Sequence, residues 1–180
     1  GTITFSGTTA QTADFLDKSV EDIVIDNSDA TVSLTGNGVT TDSLTVNADA
    51  LFDANDENIT VTGDVTLDGA TVSMGDGTWT VSGSFDNRDV TTFNRDASTL
   101  VMNGGTELSP KNLNFKHLGY VAQNITISGY VATNPPVASY LYCQGTVTIS
   151  GTLSISSVSR LALFASTSAD LYVTETGKIT

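Results

Sequence analysis

Apolar residues in this chain come as pairs split by one small polar residue, and the pairs recur every six or seven positions. Ile59-Thr60-Val61, Val65-Thr66-Leu67, Val72-Ser73-Met74 and Trp79-Thr80-Val81 follow one another at that interval, as do Val147-Thr148-Ile149 and Leu153-Ser154-Ile155. Strict alternation puts one set of side chains inside a strand and the other outside. The interval is what constrains the fold. A hairpin sheet needs five or six residues per strand plus a turn, so its strands start every 8–12 residues. An interval of six or seven leaves three strand residues and a bend. Three such sides close one coil of about 20–21 residues, and successive coils pair in parallel. Positions 3, 23, 44, 65 and 85 mark apolar units at that larger spacing.

The expected fold is therefore all-β: a right-handed parallel β-helix, or β-solenoid, of about eight coils. The alternative is an antiparallel β-sandwich with irregular loops. Gly, Asn and Asp recur between the units, as in Gly36-Asn37-Gly38, Gly63-Asp64, Gly75-Asp76-Gly77, Ser128-Gly129 and Ser150-Gly151. These residues tolerate the left-handed backbone that tight corners need. Asp outnumbers Glu 16 to 4 for the same reason, since the shorter side chain bonds its own turn. Two stretches depart from the rhythm. Residues 12–18 read as a short helical turn with Thr12 as N-cap and Asp14 in the first turn. Asn134-Pro135-Pro136 reads as an extended loop excursion. Residues 2–7 also echo residues 99–104 in pattern, at an offset of 97.

Composition excludes several classes. Charged residues make up 15% of the chain, which has 4 Glu, 7 Lys plus Arg and 2 Met; a helical bundle or coiled coil is ruled out. Net charge is −13, so a nucleic-acid partner is not expected. No apolar run approaches the roughly 18 residues of a membrane span. A single cysteine cannot build an internal disulfide framework. The charge is uneven: residues 1–96 hold 17 acidic and 3 basic residues, net −14, and residues 97–180 hold 3 and 4, net +1. Thr, Ser, Asn and Asp in abundance, with little Lys and Cys, suit an extracellular, cell-surface or virion location. Strand-like text at both ends, with Gly1 in place of an initiator Met, suggests that residues 1–180 are one solenoid segment of a longer repetitive chain.

Gly77-Thr78-Trp79-Thr80-Val81-Ser82-Gly83-Ser84-Phe85-Asp86-Asn87, Ala97-Ser98-Thr99-Leu100-Val101-Met102-Asn103-Gly104 and Asn124-Ile125-Thr126-Ile127-Ser128-Gly129 resemble extracellular parallel β-helix repeat proteins. These are the haemagglutinin-like and autotransporter-like bacterial adhesins and the shafts of phage tail fibres and tailspikes. The resemblance implies a structural or attachment role and maps no catalytic residue onto this chain. It also implies a cell-surface glycan or protein receptor, and self-association end to end or as a homotrimer.

Few residues suggest chemistry. Asp53, Asn55 and Glu57, with Asp64 at the twelfth position, loosely imitate a calcium loop and are the candidate Ca2+ ligands. The departures are a long Glu57 in the fifth place, Asn58 where Gly is usual, and a short Asp64 in place of a bidentate Glu. Asp86/Asp89, Asp53/Asp56 and Asp64/Asp68 are carboxylate pairs of the kind glycoside hydrolysis uses, although twenty acids produce such pairs by chance. His117 is the only histidine, and no nucleophile triad is legible around it. Cys143 falls on the Leu141 side of its strand, which suits a buried apolar role. Tyr140 and Tyr142 share the other side and would form a platform for sugar or protein if it faces outward. Thr-x-Thr pairs at 2/4, 60/62, 78/80 and 146/148 would order water at an ice face if they stacked in regular ladders. The irregular coil lengths argue against a continuous array. The function expected is a non-enzymatic rod that presents an attachment surface. The alternatives are a carbohydrate-binding or polysaccharide-cleaving tailspike module and a self-polymerising filament subunit.

Overall fold

The structure, a computed structural model, describes residues 1–115, 119–133, 139–156, 159–163, 171–173, 175 and 177–180. It is a β-solenoid of about seven turns, and every pairing between its strands is parallel. An antiparallel contact among the described residues is the isolated bridge between Thr106 and Ser109. The sandwich alternative is thereby set aside.

Each turn has three sides. Side one carries the starts of Ser19–Asp26 and Val39–Val46, then Ile59–Val61, Thr78–Val81, Thr99–Met102, Asn124–Ile127, Val147–Ile149 and Leu171–Val173. Side two carries Thr2–Ser6, Ser19–Asp26, the end of Val39–Val46, Val65–Leu67, Phe85–Asp86, Lys111–Asn114, Tyr130–Thr133, Thr152–Ser154 and Lys178–Ile179. Side three carries Gln11–Ala13, Val32–Leu34, Leu51–Asp53, Thr71–Ser73 and Thr92–Asn94 and, in a separate sheet, Gly119–Tyr120, Ser139–Cys143 and Ser159–Leu163. The eight-residue strands Ser19–Asp26 and Val39–Val46 run round the corner between sides one and two. They join those sides into one 15-stranded sheet.

The register matches the apolar spacing of the sequence. Ile3 pairs with Ile23, Ile23 with Leu44, Leu44 with Val65 and Val65 with Phe85. Inward columns stack like on like. Val39, Ile59, Trp79, Leu100, Ile125 and Val147 form one, and Val61, Val81, Met102, Ile127 and Ile149 another, all at most 4% exposed. Trp79 fills the middle of the tube, edge-on to Phe52 of side three and Phe85 of side two at centroid distances of 6.2 and 6.5 Å. Its indole N–H donates to the Met74 carbonyl at 3.3 Å, so its one polar atom is not stranded in the core.

Corners explain the glycines. After side one the chain turns at Gly63, Gly83, Gly104, Gly129 and Gly151, where each rung lies on the one below. A Cβ at Gly129 would sit 1.9 Å from the Gly104 carbonyl oxygen, and one at Gly151 would sit 2.1 Å from that of Gly129. Glycine is needed there for close approach. At the corner from side three to side one the need is conformational: Asn55, Asp56, Gly75 and Asp96 have φ of 50°, 67°, 66° and 47°.

Two expectations are corrected. Residues 12–18 are not helical. Thr12 lies in the strand Gln11–Ala13, and Leu16 and Asp17 take φ of 53° and 56°, which a right-handed helix cannot contain. Asp14 accepts from the Leu16 amide as a turn former, not as a helix-start charge. The 97-residue echo joins two different sides, since Thr2–Ser6 pairs on side two and Thr99–Met102 on side one. Coil length is uneven among the nine strands that side two stacks from Thr2–Ser6 to Lys178–Ile179. From Phe85 to its partner Leu113 the chain spends 28 residues, against 20 from Val65 to Phe85. The excursion expected at Asn134-Pro135-Pro136 lies outside the described residues.

Two substitutions test this architecture. Ile127→Asp buries an unpaired charge in a fully buried column and is expected to cost at least about 3 kcal/mol, seen as a large drop in Tm by circular dichroism. Gly129→Ala forces adjacent rungs apart and is expected to cost roughly 1–3 kcal/mol. An unchanged Tm in both would contradict the stacked-rung corner.

Candidate functional face

Side one presents the most regular outer surface. In Thr78-Trp79-Thr80-Val81-Ser82 the Trp79 and Val81 side chains go inside with no exposure, leaving Thr78, Thr80 and Ser82 outside. Parallel pairing carries this rung to rung. Thr40 pairs with Thr60, Thr60 with Thr80, Thr80 with Val101, Val101 with Thr126 and Thr126 with Thr148. The result is one column of five threonines and a valine, which keeps the same β-branched outline.

Two polar columns flank it and are tied along the axis. On one flank Asn58 Oδ1 accepts from the Thr78 amide at 2.8 Å, and Asn124 Oδ1 accepts from the Thr146 amide at 2.9 Å. The Asn124 Nδ2 also donates to Thr99 Oγ1 at 3.4 Å. On the other flank Thr62 Oγ1 donates to Asp42 Oδ1 at 3.0 Å and Ser82 Oγ to Asn103 Oδ1 at 2.8 Å. The central hydroxyls of Thr40, Thr60, Thr80, Thr126 and Thr148 make no side-chain hydrogen bond among the described residues, so they face solvent with donor and acceptor capacity unused. Residues 58–62, 78–82, 99–103, 124–128 and 146–150 contain no Asp, Glu, Lys or Arg. The rung before them, in Val39–Val46, carries Asp42, and Asp17 lines a shallow depression there with Gly38, Thr40, Asn58 and Thr60.

The other sides carry the charge. Asp22, Asp26 and Asp86 lie on side two, Asp64 and Asp68 at the two ends of its strand Val65–Leu67, and Asp53 on side three. Since turns stack in chain order, the acidic first 96 residues form one end of the solenoid. Several carboxylates accept backbone amides at corners. Asp56 Oδ1 takes the Asp76 amide at 2.7 Å, Asp76 Oδ1 takes the Ala97 amide at 3.0 Å, and Asp64 Oδ1 takes the Ser84 amide at 2.7 Å.

The calcium-loop residues do not converge. Asp53, Asn55 and Glu57 share the corner before Ile59–Val61, and Asp64 sits at the corner after it. Asp53 Oδ1 accepts from the Asn55 amide at 2.9 Å, and Asn55 Nδ2 donates to the Leu34 carbonyl at 3.0 Å. Among the described residues no three acidic, histidine or cysteine groups are placed to hold one metal ion. In each carboxylate pair at least one member accepts a backbone amide: Asp53 from Asn55, Asp56 from Asp76, Asp64 from Ser84 and Asp86 from Arg88. Burial alone would raise the Asp86 pKa. The Arg88 side chain at 2.5 Å, its amide and charge, and the Asn114 amide outweigh that and hold the carboxyl below its ordinary range. A general acid needs the opposite shift.

Cys143 and Leu141 are buried on the inward side of their strand, as the alternation implies. Burial pushes the Cys143 thiol up, partly opposed by the backbone at Gly145 and the charge of Arg95. The Cys143 Sγ lies 3.1 Å from the Gln123 carbonyl. The backbone of Tyr140 and Tyr142 lies in Ser139–Cys143, but their side chains, like all of His117, fall outside the described residues. A shallow depression of about 190 Å³ lies on side three, lined by Leu51, Asp53, Thr71, Ser73 and Asn94. Sequence reasoning noticed Thr-x-Thr pairs but discounted an array because coil lengths vary. The variation leaves through corners: the coil with Thr106–Ser109 bulges after Thr99–Met102 and rejoins side two at Lys111. Of the pairs noted, Thr2/Thr4 belongs to side two and the other three to side one.

The chain matches no protein family, no curated protein and no solved structure with which it was compared.

The Asp86–Arg88 pair yields a pH prediction. A carboxyl held below its ordinary value stabilises the fold above about pH 4, and that contribution is lost as pH falls through the lower folded value. Arg88→Ala is expected to cost roughly 1 kcal/mol at neutral pH. The gap from the parent should close at strongly acidic pH. Urea melts at both pH values check this, and a gap that persists in acid would contradict it.

Proposed function

We propose that this chain is a non-enzymatic, rod-like segment of an extracellular, cell-surface or virion fibre, and that its work is to hold an attachment surface away from its base. The observation that carries this reading is the continuous axial hydrogen bonding. Strand pairs follow one another from Thr2–Ser6 to Leu171–Val173 and Lys178–Ile179, around an interior of stacked Val, Ile, Leu and Phe. Force along such an axis loads many backbone bonds and a buried core together. The resemblance to adhesins and tail-fibre shafts in residues 77–87, 97–104 and 124–129 agrees with this role. So does a surface rich in Thr, Ser and Asn. The receptor class is a cell-surface glycan or protein, and homotrimers or end-to-end contacts would extend the rod.

Small-angle scattering on tandem copies of the chain should report a particle that lengthens by about 34 Å per copy, since about seven rungs at ~4.8 Å each span that distance. A non-specific protease such as thermolysin should leave the band intact at ordinary temperatures. A glycan array and a reducing-sugar assay decide the role: retention without release of reducing ends supports attachment. Release of reducing ends would instead make the chain a polysaccharide-cleaving module.

A further inference from the structure

We propose that side one is an ice-binding face, with the column Thr40, Thr60, Thr80, Val101, Thr126 and Thr148 at its centre. The proposal does not depend on the fibre reading, since it concerns one outer face whatever the rod is attached to.

Four observations point to this ligand. The first is periodicity. Residues paired in register between parallel strands repeat at ~4.8 Å along the axis, and successive outward residues repeat at ~6.6 Å across it. Six rungs with three columns therefore form a two-dimensional array about 24 Å long and 13 Å wide, with the registers continuous from Thr40 to Thr148. A crystalline surface is a ligand that a repeating array fits better than a single small molecule. The axial repeat is close to an oxygen repeat of hexagonal ice.

The second is charge. The chain has 20 acidic residues, yet none lies in the five rungs from 58–62 to 146–150; the charges at this face, Asp42 and Asp17, are confined to its first rung, whereas side two carries Asp22, Asp26 and Asp86, with Asp64 and Asp68 flanking its strand Val65–Leu67. A neutral face complements a neutral lattice. A carboxylate or ammonium holds its own tight hydration shell and would disrupt water bound in a lattice arrangement.

The third is chemistry. A threonine offers a methyl beside a hydroxyl, and the central hydroxyls are not committed to protein partners among the described residues. Water can fill the troughs between ranks and bond to them without direct protein-to-ice contact. Val101 keeps the methyl contour at the one rung without a hydroxyl. The six rungs from Thr40 to Thr148 present no outward aromatic side chain; the next residue paired in register is Tyr172.

The fourth is preorganisation. β-Branched residues on a strand have few χ1 states, and the flanking columns are tied rung to rung by Asn58, Asn124, Thr62 and Ser82. Little freedom is lost on binding, so weak contacts over many ranks can add.

The test uses the full chain. Nanolitre osmometry and ice-recrystallisation assays should show thermal hysteresis and faceted crystals. Thr126→Lys and Thr80→Tyr, both on the central column, should reduce the hysteresis at least severalfold, and Thr126→Val should retain most of it. Thr66→Lys, on the outer surface of side two, should leave it unchanged. Circular dichroism melts confirm that every variant is folded, so loss of structure is not read as loss of binding. The proposal is overturned if the folded parent neither shapes ice nor shows hysteresis. It is also overturned if Thr66→Lys does the same damage as Thr126→Lys. Retention on insoluble cellulose or chitin that Thr126→Lys abolishes, with ice assays blank, would overturn it in favour of a neutral-polysaccharide face. None of these results bears on rod length or protease resistance, which test the other reading.

Discussion

Every turn of this protein must deliver its backbone amides and carbonyls to the turns above and below, and that requirement governs the rest of the molecule. In-register parallel pairing permits no slip. A one-residue shift at Thr78–Val81 would put Trp79 outside and Thr80 in the core. The pairing therefore locks side-chain columns as firmly as it locks backbones. The stacked interior and the ordered exterior of side one follow from the same hydrogen bonds.

Corners are where this constraint is hardest to satisfy. Carbonyls of one rung approach so closely to the next that Gly83, Gly104, Gly129 and Gly151 leave no room for a methyl group. At the third corner the left-handed backbone selects Asn55, Asp56, Gly75 and Asp96. The acidic character of the first half thus has a local origin. Asp is a short side chain that accepts an amide from its own turn or from the rung above, as Asp56 and Asp76 do. A high negative charge follows from many such corners and does not require a cation to explain it.

Corners also absorb irregularity. The coil that runs from Phe85 to Leu113 is eight residues longer than the one before it, yet side one continues through Leu100 without losing register. The surplus bulges at Thr106–Ser109, where Leu108 is 98% exposed. Insertions that leave through a corner do not disturb a side. Coil length is therefore a poor guide to whether an outer face is regular.

Alternation in triplets such as Ile59-Thr60-Val61 and the 20- or 21-residue spacing of Ile3, Ile23, Leu44, Val65 and Phe85 were enough to determine a three-sided parallel solenoid, because period two sets the face and the interval sets the bend. The glycine-bearing corners were legible for the same local reason. The left-handed turn at Leu16 and Asp17 was not, since cap-like residues look the same before a helix and at a tight corner. Nor did the linear spacing of Asp53, Asn55, Glu57 and Asp64 reveal that a whole strand carries the last of them to another corner. Only the tertiary structure decided which threonines form a common column. Columns are made by pairing between residues 20 to 25 positions apart, and that register depends on where each coil sheds its extra residues.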